Sequence, residues 1–234
     1  MVREFDQTVG KDGLIAGGQF ILDRFTGQVT VSGAERVPSN GPTIIASNHP
    51  GMTDAMAVWT AVAREDLLII AAERDLLDHL PNMRRHLILI QSPGSSAYRE
   101  ALAHLRSGGA VLTFPAGHIE PDAAVRPGAV ESLATWSPSV VSLASRVDGC
   151  RLIPAFTRGV ISDAATRAPF LRYLREQKDR DWAAATLQVL MAHYRRVHVT
   201  VKFGPPVGPC MDELHAEMRA LMDTSPPNPP DHLA

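Results

Sequence analysis

The sequence predicts a single α/β domain, built on a mostly parallel or mixed central sheet of about seven strands with helices on both faces. Two observations carry this. Apolar runs of strand length recur at 43–46, 67–71, 87–91, 110–114, 152–156 and 198–203, and segments of helical periodicity or turn composition fill the gaps between them. The 234 residues are 45% hydrophobic and 21% charged with no change of composition between halves, so one core can form without disulfides.

Taken in order, residues 1–18 hold four glycines and little periodicity, which predicts an N-terminal arm, loose or with one short helix, ahead of a domain spanning 19–223. Residues 19–25 and 28–32 read as extended, and the turn cluster at 37–42 leads into the 43–46 strand. A helix carrying Met56, Trp59 and Val62 follows. A short helix and turn at 74–83 separates the next two strands. The helix after them opens at Ser95 or Ser96, presents Tyr98, Leu102 and Leu105 on one face and stops at Gly108-Gly109.

Residues 115–122 are a loop by composition, and 131–136 and 139–147 are helical pieces split by Pro138. Pro154, inside the 152–156 strand, argues for an edge, a bulge or a strand end. Residues 170–177 and 182–196 are predicted helical, the second with Leu187, Leu190, Met191 and Tyr194 on one face. A terminal helix at 212–222 precedes a Pro-rich, flexible tail at 224–234.

The net charge of −2 argues against bulk nucleic-acid binding. Cys150 and Cys210 lie outside any metal-ligand spacing and read as buried, inert thiols in a reducing compartment. No apolar stretch reaches the roughly 20 residues needed to span a bilayer. A charged N-terminus without a signal-type apolar region makes the expected location cytoplasmic.

Chemistry concentrates where the 43–46 strand gives way to a helix. His49 and Asp54 flank Pro50-Gly51, and the turn must bring them together, because five residues on a straight helix rotate by roughly 500° and share no face. The imidazole then stands at a strand's C-terminal end, where open α/β sheets bind ligands. The plainer alternative is a helix-capping aspartate beside a satisfied histidine. Asn48 orients the turn or supports its own backbone.

Asn48-His49-Pro50-Gly51-Met52-Thr53-Asp54 resembles the Asn-His-x4-Asp signature of the glycerolipid acyltransferase family, which includes 1-acylglycerol-3-phosphate acyltransferases. Four further blocks agree in order: residues 29–38 before the signature, Phe114-Pro115-Ala116-Gly117, Leu152-Ile153-Pro154-Ala155, and 199–207. The resemblance covers roughly residues 20–208. It implies a glycerol-3-phosphate acyltransferase-like fold and transfer of a fatty acyl group from acyl-CoA or acyl-carrier protein to a hydroxyl of a glycerolipid, lysophospholipid or related acceptor. His49 would be the general base and Asp54 its orienter, with no cofactor or metal and with peripheral contact on the inner face of a membrane.

The chain departs from the family where the acceptor binds. Ala116, His118 and Ile119 stand where the family has glutamate, threonine and arginine, and Gln91-Ser92 where it has an arginine. An ordinary phosphate acceptor is therefore not expected. His118 or Glu120 could take over contact with an acceptor hydroxyl or amine, and backbone N–H groups near Gly51 or Gly117 could hold the oxyanion.

Two rival readings use the same residues. A metal-dependent hydrolase would recruit His49, Asp54, His118, Glu120 and Asp122, although they form no compact ligand motif. A noncatalytic lipid-binding homologue would keep the fold without the chemistry. The basic and aromatic stretch at 167–175 can lie on an anionic membrane, the plainer reading being a solvated helix face diluted by Glu176, Asp179 and Asp181.

Overall fold

The computed structural model describes residues 1–51, 53–90, 95–174 and 176–223. The 224–234 tail, and Gln91 and Ser92, lie outside the described residues. The strands are β1 (Gln28–Ser32), β2 (Thr43–Ser47), β3 (Leu67–Ala72), β4 (Leu87–Ile90), β5 (Ala110–Thr113), β6 (Arg151–Arg158) and β7 (His198–Phe203). The helices are α1 (Val2–Phe25), α2 (Asp54–Val62), α3 (Pro81–Arg84), α4 (Ser95–Arg106), α5 (Ala129–Ser132), α6 (Ser139–Ser145), α7 (Asp163–Thr166), α8 (Gln177–Leu190) and α9 (Met211–Asp223).

The seven strands form one mixed sheet in the order β1-β7-β6-β2-β5-β3-β4, parallel throughout except for the antiparallel β6–β7 pair. β2 lies at its centre and is buried along its whole length. Its residues alternate between two cores. Ile45 joins Trp59, Val62 and Leu14 under α1 and α2, whereas Ile44 and Ala46 join Leu105, Leu143 and Met218 under α4, α6 and α9. The 24-residue α1 and the 14-residue α8 belong to the first of these faces.

Three local expectations are corrected. Residues 19–25 are helical, and the supposed arm is the start of the same kinked helix, with Phe5, Val9 and Leu14 buried. Its glycines serve packing: a Cβ at Gly18 would lie 2.0 Å from Thr60 Oγ1, and Gly13 makes the kink at φ 91°. Pro154 sits in a central strand, which excludes the edge among the expected alternatives, but it lies where pairing to β7 breaks between the Leu152–Val207 bridge and Ala155. It is tolerated because the β6–β7 ladder starts at Ala155, so the missing N–H falls at a break in pairing, while its carbonyl accepts from Gly204 N–H at 2.8 Å. Cys210 is exposed; Cys150 is half-buried, and burial pushes its thiol up to about 11.

Candidate active site

β2 and β5 run parallel and adjacent, so the loops leaving both deliver their residues to one rim of the sheet. The chain turns at Pro50-Gly51, and the first residue of α2 folds its carboxylate back onto the residue that left the strand. His49 Nδ1 lies 2.7 Å from Asp54 Oδ2. Asp54 is fully buried and also accepts from the Ala55 and Gly51 N–H groups, at 2.6 and 3.2 Å. A carboxylate supplies only acceptors, so in the neutral ring Nδ1 carries the proton and Nε2 keeps its lone pair.

The His49 side chain retains 28% exposure and rests on the Phe114 ring, centroids 4.6 Å apart. Burial opposes charging the imidazole, but the charge and hydrogen bond of Asp54, with Glu120 beyond, outweigh it. The pKa is raised above the ordinary 6.5.

Beside His49 opens a groove of about 1130 Å³, walled by His49, Pro50 and Gly51 at one end. Met56, Leu77, Ile119, Ile161 and Val189 give it an apolar lining, and α8 closes the far side. Arg74 lies exposed on its wall. Arg126 and Asp181 form an ion pair joining the loop after β5 to α8, and Gln177 Nε2 donates to the same aspartate at 2.9 Å. Trp182 and Leu190, exposed by 75% and 71%, stand on the α8 wall.

The other candidate residues divide sharply. Asn48 does not face the groove: it is 1% exposed, its Nδ2 donates to Thr157 O at 2.8 Å, and its Oδ1 accepts from Thr157 N–H at 2.7 Å. It fastens the end of β2 to β6. Glu120, also 1% exposed, is no acceptor-binding group either, since both of its oxygens are taken up by protein donors. His118 points its Nδ1 to Ala116 O at 2.7 Å and is exposed outside the groove lining, which from this loop is Ile119 and Pro121.

The oxyanion donors expected at the two glycines are also engaged. Gly51 N–H goes to Asp54, and Gly117 N–H to Phe114 O at 3.0 Å. The hydrolase ligand set fails to converge, because Asp122 is fully buried and accepts from the N–H groups of Ala124, Gly159, Val160 and Ile161. Among the described residues no three His, Cys, Asp or Glu side chains are grouped to hold a metal ion.

Arg126, Asp181 and the α8 wall were not legible as site residues. Their sequence neighbourhood carries no motif, and an Arg–Asp pair 55 residues apart leaves no periodic trace. In the 167–175 stretch Phe170 and Tyr173 are exposed while Leu171 is buried, and Arg167 is paired with Asp163. No described helix is long and apolar enough to cross a membrane.

A largely apolar groove at strand ends, with an imidazole and its carboxylate at one end, is the architecture of an α/β enzyme's small-molecule site. The family model described as Acyltransferase matches residues 28–158, more than half of the chain and the part that carries this rim. The protein belongs to that acyltransferase family. No curated protein matches the chain. Among solved structures it is similar to the 1-acyl-sn-glycerophosphate (LPA) acyltransferase PlsC of Thermotoga maritima, at 18% identity and a TM-score of 0.49, covering 94% of this chain and 76% of that one.

Proposed function

We propose that this acyltransferase moves a fatty acyl group from an acyl-CoA or acyl-carrier-protein thioester to a hydroxyl of a glycerolipid, lysophospholipid or related acceptor, with His49 as general base and Asp54 as its orienter. The observation that carries the reading is the 2.7 Å His49–Asp54 bond beside an apolar groove, with Nε2 left as the basic nitrogen. An alcohol is a poor nucleophile near neutral pH until a base takes its proton.

In this scheme the acceptor oxygen attacks the thioester carbonyl as its proton passes to Nε2. Asp54 stabilises the imidazolium that forms. The tetrahedral intermediate then collapses, the C–S bond breaks, and His49 returns the proton to the departing thiolate. One ester forms, one thioester is lost, and no serine or cysteine nucleophile is needed.

The groove supports a lipid substrate by size and by lining. At about 1130 Å³ it lies at the upper end of the roughly 300–1,000 Å³ range of small-molecule pockets, room for an extended acyl chain beside His49. Exposed Trp182 and Leu190 on its wall suit peripheral contact with a membrane, from which a lipid acceptor would be drawn. Sedimentation with anionic liposomes at low and high salt measures that contact.

The test of the reaction is thioester-dependent acylation across lysophospholipids, glycerol lipids, simple alcohols and amines, followed by thiol release. The wild type is expected to acylate a hydroxyl acceptor, and folded His49→Ala and Asp54→Asn to lose turnover. Full turnover in both variants rejects the mechanism.

A further inference from the structure

We propose that Glu120 is a positioning residue for His49, a second carboxylate that clasps the main chain of the base and adds negative charge behind it. The inference rests on His49 being the base of the reaction proposed above. It goes beyond the His49–Asp54 pair, which positions only the ring.

The clasp is reciprocal. His49 N–H donates to Glu120 Oε2 at 2.8 Å, and Glu120 N–H donates to His49 O at 2.8 Å. Both main-chain polar groups of His49 are thereby held by one residue 71 positions away. The other oxygen, Oε1, accepts from Trp136 Nε1 at 2.9 Å and from Ser132 Oγ at 2.8 Å. Trp136 and Glu120 are 4% and 1% exposed, so this carboxylate cannot swing toward a ligand without breaking all of these bonds.

Two residues on, Asp122 binds the N–H groups of Gly159, Val160 and Ile161, which follow β6. The segment Glu120-Pro121-Asp122 therefore straps the exits of β2 and β6 together across the rim. Glu120 fixes the end that carries the base. Asp122 fixes the end that carries Ile161 of the groove wall.

Only a carboxylate satisfies this position. A donor-only N–H is aimed at each oxygen, that of His49 at Oε2 and that of Trp136 at Oε1, whereas the amide of a glutamine would turn an NH2 toward one of them. A displacement of about 1 Å at a reacting group can cost on the order of 100-fold in rate, so the clasp matters to turnover although it touches no substrate. The charge matters separately. Asp54 from α2 and Glu120 from the loop after β5 are the carboxylates acting on the imidazole, and Glu120 adds to the upward push on its pKa. Arg74, Arg126, Asp179 and Asp181 line the rest of the groove.

The experiment compares wild type with Glu120→Gln and Trp136→Phe, using the full chain and checking each fold by circular dichroism. In Glu120→Gln, kcat is expected to fall about 10- to 100-fold with KM nearly unchanged, and the acidic limb of kcat/KM to move to lower pH. Trp136→Phe keeps the charge and removes one of the two donors to Oε1, so a smaller loss of kcat with an unmoved limb is expected. The His49 imidazole resonance, assigned by its absence in His49→Ala, should titrate at lower pH in Glu120→Gln, a readout independent of activity.

A folded Glu120→Gln with wild-type kcat and an unmoved His49 titration overturns the proposal. Should that variant not fold, wild-type kcat in Trp136→Phe overturns it instead. Failure of the base assignment looks different: His49→Ala would then turn over normally whatever the Glu120 variants did.

Discussion

The two walls of the groove are built on opposite principles. On the β2 side the backbone or side chains of Asn48, His49, Gly51 and Asp54 are all hydrogen-bonded into the fold, and the carboxylates of Asp54, Glu120 and Asp122 are buried. On the α8 side the wall is joined to the rim by the Arg126–Asp181 pair and by Gln188, whose amide bonds Val160 O and Ser162 N–H after β6, and otherwise presents side chains such as Trp182 and Leu190 to solvent. Proton transfer needs groups fixed to a fraction of an ångström. An acyl chain needs only an apolar surface that adapts to its length.

Substitutions separate the two walls by the size and kind of their effect. The largest belongs to the proposed base: His49→Ala should lower kcat by about 10²- to 10⁴-fold with the fold intact, and Asp54→Asn, which can no longer fix the Nδ1–H tautomer, should approach it. Steady-state thiol release measures both. Next comes stability. Asp122→Ala strands buried N–H donors of the β6 exit and should cost about 3–5 kcal/mol, seen as a lower urea midpoint.

On the adaptable wall, Arg126→Met removes one of the polar links to α8 and leaves Asp181, 8% exposed, without its cation. Amide exchange across 177–190 should quicken, and KM for long-chain donors should rise more than kcat falls. Smallest is Leu190→Ser. Its cost should appear only with long chains, as a KM change of about 4-fold, the scale of one methylene losing contact. Equal loss for short and long chains would place Leu190 outside the acyl path.

The sequence made the rim legible because its information there is local. A β-rich run, a Pro-Gly turn and an aspartate opening a helix are enough to fold Asp54 back on His49, and the alternation of strands and helices was enough for a seven-stranded α/β sheet. Long-range contacts were not. Glu120 reads as a polar loop residue until Ser132 and Trp136 arrive beneath it, and Gly18 reads as looseness until Trp59 and Thr60 occupy the space of its missing Cβ. Pro154 signalled a break in pairing but not its place in a central strand, since the segment across which the break falls lies 50 residues downstream.

His49 also links the fold to pH. Its pKa is raised in the folded protein, so its charged form stabilises the fold fully only below the unfolded value, near 6.5, and that contribution is lost as pH rises through the folded value. On the proposed mechanism activity should run the other way, because a general base works when deprotonated. The pH profile of kcat/KM for acyl transfer tests this most directly. The account predicts a single acidic limb centred above 6.5 that disappears, together with most of the rate, in His49→Ala; a flat profile, or the same limb and rate in that variant, would contradict it.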